Sequence, residues 1–178
     1  MWMRPERRAV IPAGSTGSGE EGILRVAQVG LEVLPDGSWA ALYEGNSMLH
    51  NAGGFMTVPP GQIRWARWDP HRLCGIRAEK EGRFTIPTVR RTEDDLRLNY
   101  RCGFGGFIEV ELITGIPSRV HPDAQPISGH AFGDCDRLFG DGLDEVVTWK
   151  GNSQIQSSND QIAIRLRLFN AKVFAYRA

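Results

Sequence analysis

The chain has 178 residues, 41% of them apolar, and its 21 Lys+Arg are balanced by 21 Asp+Glu. A formal net charge of zero excludes an affinity built on wholesale phosphate neutralisation, and with it a dedicated nucleic-acid binder. The opening MWMRPERRAVIPAG lacks an apolar run of signal-peptide length, and no stretch approaches the ~18 apolar residues of a membrane helix. No membrane partner is expected, and the cytoplasm is the default compartment.

Residues 1–22 are rich in Pro, Gly, Ser and charge, and STGSGEEG is a loop by composition. Arg4, Arg7 and Arg8 read as a solvated basic terminus. Pro35-Asp36-Gly37 then separates two apolar runs. An Asp-Gly pair tolerates positive φ, which predicts a hairpin joining 29–34 to 38–43. Residues 45–61 read as a long loop, and the alternating QIRWARW at 62–68 predicts a third strand. The mixed stretch 69–83 carries the boundary, placed near Ala78, between a first part (1–78) and a second (79–178). Further strands are predicted at 83–90, 96–102, 106–113, 128–133, 144–149, 161–168 and 171–177. Cys102-Gly-Phe-Gly-Gly lies between two of them without a helix after it, so it reads as a hairpin turn rather than a phosphate loop. Helical periodicity is confined to one turn near Ser153–Ser157. The expected fold is all-β: a short N-terminal antiparallel β-meander followed by an antiparallel, jelly-roll-like β-sandwich.

Cys74, Cys102 and Cys135 include no C-x-x-C pair, so neither a disulfide framework nor a zinc site is expected. Asp134, Asp136, Asp141, Asp144 and Glu145 crowd one segment. They read either as calcium ligands, although the spacing is not that of an EF-hand, or as turn residues bonding nearby amides. Calcium is the one cofactor the sequence offers. Trp65 and Trp68 lie an odd number of residues apart in one strand, hence on opposite faces. An outward Trp suits sugar stacking or an interface, whereas Trp39 and Trp149 read as core. No Ser-His-Asp arrangement and no G-x-S-x-G occurs.

The pieces RPERRAVIPAGSTGSGEEG, GLEVLPDGSWAALYEGNSMLHN and QIRWARWDPHRLCGIRA, in that order, resemble the last blade of the five-bladed β-propeller glycoside hydrolases and their relatives. LRLNYRCGFGGFIEVEL, GDCDRLFGDGLDEVVTWKGNS and IAIRLRLFNAKVFAYRA resemble the β-sandwich that follows such propellers. The resemblance implies a carbohydrate-associated protein. It implies ligand-binding roles for Trp65, Trp68, His50 and Asn46, and makes Glu20, Glu44 and His50 the catalytic candidates. The departures are large. A five-bladed propeller takes roughly 250–300 residues, and this chain supplies at most one blade. Where the family loop reads G-S-W-D-x-G, this chain has Gly17-Ser18-Gly19-Glu20-Glu21-Gly22, with Gly19 in the aromatic position. Glycoside hydrolysis needs two flanking carboxylates, which in these propellers come from several blades. The chain therefore resembles a C-terminal remnant of a larger enzyme, or a stand-alone protein of the same ancestry. Three functions follow: a carbohydrate-binding or accessory module, an oligomeric interaction protein, or a hydrolase completed by oligomerisation. Exposed sheet edges lead us to expect a homo-oligomer, most simply a two-fold dimer.

Overall fold

The computed structural model describes residues 9–48, 61–114, 124–155 and 161–178. The protein is all-β, with no helix among the described residues. It divides after Leu73 into two compact units. Residues 76–78, counted above with the first part, belong to the first strand of the second unit.

The first unit is a meander of β1 (Ile23–Val33), β2 (Trp39–Asn46) and β3 (Gln62–Trp68), in sheet order β1-β2-β3. The Asp-Gly hairpin forms as expected. Gly37 has φ 81, the Gly37 N–H donates to the Leu34 carbonyl at 2.8 Å, and Asp36 Oδ1 accepts from the Ser38 amide at 3.1 Å. The register is Val33↔Trp39 at the turn and slips between Val26 and Leu31, where Gly30 takes φ 77. That bulge lets β1 run well beyond the predicted hairpin arm.

The second unit contains β4 (Ile76–Arg90), β5 (Arg97–Thr114), β6 (Asp141–Val146) and β7 (Gln161–Arg177), all antiparallel, in sheet order β4-β7-β5-β6. Its core is built by period-2 alternation. Ile108, Val110 and Leu112 of β5, with Ile162, Ile164, Leu166 and Leu168 of β7, are fully buried in one cluster. Leu96, Val147, Trp149 and Ile155 join that cluster from segments outside the regular strands. The Trp149 indole N–H donates to the Val110 carbonyl at 3.0 Å. The His130 ring packs against Trp149 with centroids 4.7 Å apart, its two nitrogens facing the carbonyls of Ser128 (2.9 Å) and Gln154 (3.2 Å).

Several predicted elements change. The strands expected at 96–102 and 106–113 are one strand, β5, and those at 161–168 and 171–177 are one strand, β7. Gly103–Gly106 is therefore not a hairpin turn. It is a bulge between Cys102↔Ala171 and Phe107↔Phe169, and β4 breaks register at the same level, between Ala78 and Glu81. Two irregularities aligned on Asn170 of β7 crease the sheet across β4, β7 and β5. Residues 128–133 form turns rather than a strand, and the strand expected at 144–149 is β6 at 141–146; of the helical turn expected near Ser153–Ser157, Ser153–Ile155 are not helical and the rest lies outside the described residues.

Candidate functional site

The sheet face turned away from the core carries charge. Glu109 and Glu111 alternate with the core residues of β5, and Arg165 and Arg167 alternate with those of β7. The register sets Glu109 opposite Arg167 and Glu111 opposite Arg165. Arg165 Nη1 donates to Glu111 Oε1 at 2.8 Å, and Arg167 donates through Nε and Nη2 to Glu109 Oε2. Arg137, beside the β5 edge, donates through Nε to Glu109 Oε1 at 2.7 Å. The Phe132 amide approaches Glu111 Oε2 at 3.4 Å.

Aromatic rings bracket this row. The Arg137 guanidinium lies 4.4 Å from the Phe107 ring centroid and that of Arg167 lies 5.1 Å from Phe132. Phe107 in turn stacks on Phe169, with centroids 5.7 Å apart. Phe104, in the bulge, is fully exposed, and its carbonyl accepts from Asn170 Nδ2 at 3.1 Å. On β4, Arg83 sits opposite Arg167 and pairs with Glu81 at 2.9 Å.

Glu109 is only 4% exposed although it faces away from the core. Desolvating a carboxylate is costly unless cations and hydrogen bonds replace water. Burial raises the Glu109 carboxyl, and the guanidinium groups of Arg137 and Arg167 outweigh that, holding it below the ordinary glutamate range. The group is thus ionised and occupied at neutral pH, which suits a rigid recognition surface better than proton transfer. The most exposed members of the row are the Arg137 guanidinium and the Phe169 ring.

The residues singled out in the sequence are dispersed. Glu20 accepts from the Tyr43 hydroxyl at 2.8 Å and from Arg64 Nη1 at 3.3 Å, and this bond raises the Tyr43 hydroxyl above its usual value. Glu20 also lies against Gly45, on the face of β2 that Tyr43 occupies, whereas Glu44 points to the opposite face, against Gly61. The two carboxylates do not flank a common site. Asn46 Oδ1 accepts from the Met48 amide at 2.9 Å, closing a local turn. His50 lies outside the described residues. Trp65 is exposed and Trp68 half-buried, on opposite faces of β3.

Each aspartate of the candidate calcium cluster has its own partner. Lys150 pairs with Asp134 at 2.5 Å and holds it below its usual value, and Thr148 (2.7 Å) does the same for Asp136, which also accepts from the Gly151 amide at 2.7 Å. Arg101 takes Asp141 at 2.6 Å, and Arg97 and Arg177 take Asp144 at 3.3 and 2.9 Å. Among the described residues no three His, Cys, Asp or Glu side chains form a group fit to hold a metal ion. The three cysteines are free thiols; burial pushes Cys102 and Cys135 up to about 11. No described helix is long and apolar enough to cross a membrane.

Sequence reasoning missed the Glu-Arg row. Its signal was the E-x-E of FIEVELI and the R-x-R of IAIRLRLF, two charge patterns that match only once the strands are known to be neighbours. No family model matches the chain, and neither a curated protein nor a solved structure matches it.

Proposed function

We propose that the protein is a non-catalytic carbohydrate-binding or accessory β-sandwich protein of glycoside-hydrolase ancestry, with the Glu109–Arg167 row as its ligand face. The observation that carries this reading is the row itself: guanidinium groups pinned by nearly buried carboxylates and bracketed by Phe107, Phe132 and Phe169. Sugars present apolar C–H faces that stack on rings and hydroxyls that accept from fixed donors, and preorganised donors lower the entropic cost of binding. Calorimetric titration against plant, algal and bacterial oligosaccharides tests it. Saturable binding to at least one glycan is expected, weakened on the order of 10-fold by Phe169→Ala. Heats no larger than dilution across the whole set would sink the proposal.

A second reading, a homo-oligomer formed through the meander, rests on a separate observation. Ile63 and Trp65, on one face of β3, are 74% and 56% exposed, and neither buried apolar cluster includes a residue of the first unit. Three strands that bury only Ala40, Ala41 and Tyr43 among their described apolar residues are marginal alone. Light scattering on the intact chain should give a dimer, and Trp65→Ser should shift it to monomer. A wild-type monomer at micromolar concentration contradicts this reading.

A further inference from the structure

We infer that the ligand face selects an acidic glycan, one whose sugars carry carboxylates, and that Arg137 is the residue that reads the charge. The inference rests on the carbohydrate reading above and adds the ligand's chemical class.

The argument is one of donors and charges. Arg165, Arg167 and Arg83 each have a carboxylate of their own, in Glu111, Glu109 and Glu81. Arg137 does not: it shares Glu109 with Arg167. Four guanidinium groups against three carboxylates leave one positive charge, and that surplus belongs to the most accessible member of the Glu109 cluster. The Arg137 side chain is 52% exposed while that of Glu109 is 5%. Of the five N–H donors of a guanidinium, Arg137 spends only Nε on Glu109. Among the described residues no other group accepts from it, and the side chain is half exposed.

The rest of the geometry fixes that fork in place. Glu109 holds its inner edge, and the Phe107 ring lies under its plane. A planar, pre-oriented pair of Nη groups matches a carboxylate through two parallel bonds. Beside it, the Phe107–Phe169 stack offers a ring face to the neighbouring sugar. A neutral glycan would use the rings and leave the surplus charge unanswered, whereas a uronate uses both.

The test is calorimetry on the full chain with oligogalacturonate, oligomannuronate and oligoguluronate. The controls are methyl-esterified oligogalacturonate (the same sugar without the charge), a neutral glycan panel, and polyglutamate as a carboxylate polymer without sugar. We expect at least one uronate oligomer to bind about 10-fold or more tightly than its esterified or neutral counterparts, from the strength of charge-assisted hydrogen bonds. Arg137→Gln should remove that preference while residual stacking affinity and a cooperative melt persist, and Arg77→Gln, on a distant part of β4, should change nothing. Equal binding of acidic and neutral oligomers, or binding of neutral ones alone, overturns the charge inference and leaves the carbohydrate reading standing. Polyglutamate binding as tight as the uronates overturns the sugar component. Binding to no glycan at all sinks both. A preference that survives Arg137→Gln removes Arg137 from its role.

Discussion

Glu109 concentrates the physics of the molecule in one side chain. It is nearly buried and accepts from two guanidinium groups. Replacing it by Gln keeps the shape but leaves Arg137 and Arg167 without their counter-charge. We expect a loss of about 2 kcal/mol at neutral pH, below the fully buried limit because both arginines reach solvent. The pH dependence has a defined sign. Burial pushes the group up, the two arginines push it further down, and the folded value ends below the ordinary 4.5. The carboxylate's contribution is therefore fully present above about 4.5 and is lost as pH falls through the lower folded value. Urea midpoints of wild type and Glu109→Gln should differ at pH 7 and converge as the pH falls through the folded value. A gap that stays constant with pH would assign the effect to packing rather than charge.

At the scale of elements, the crease across β4, β7 and β5 decides how the long strands run. Gly106 closes the β5 bulge, opposite Asn170 of β7. A Cβ there would come within 2.3 Å of the Asn170 carbonyl oxygen and 2.8 Å of that of Phe169, both backbone atoms that cannot swing aside. Gly106→Ala is expected to cost about 2–4 kcal/mol. Gly105, with φ 68 and open space around its Cβ position, pays only for conformation, about 1 kcal/mol in Gly105→Ala. Chemical denaturation of the two variants separates them, and equal losses would mean that the two strands do not approach closely at Gly106. The same crease explains why sequence alone suggests a hairpin there. Gly103, Gly105, Gly106 and Asn170 at φ 41 mark a hairpin or a bulge equally well, because both need positive φ or a missing Cβ. Only the partner strand tells them apart. The Asp36-Gly37 turn was legible because its hydrogen bonds close within five residues, from Leu34 to Ser38.

Across the whole molecule, the two units differ in how well each buries itself. The second unit owns both buried apolar clusters. The first has Ala40, Ala41 and Tyr43 buried, while Val29, Val33 and Ile63 are largely exposed. A fragment of residues 74–178 should therefore retain β-sheet circular dichroism and melt cooperatively, while a fragment ending at Leu73 should not. Loss of the cooperative melt in the 74–178 fragment would show that its core needs the first unit.

The sequence by itself determined the all-β class, the first hairpin, the third strand and the alternation that puts Ile164, Leu166 and Leu168 inside. These follow from contacts between near neighbours or from the period-2 geometry of any strand. It also held both halves of the ligand face, E-x-E and R-x-R, but could not join them. Tertiary structure decided that Glu109 meets Arg167 across 58 residues and Glu111 meets Arg165 across 54. It likewise separated Glu20 from Glu44 and gave each loop aspartate its own partner. Pairing at such distances depends on which strands are neighbours and in what register, and a one-residue slip would send every one of these side chains to the other face.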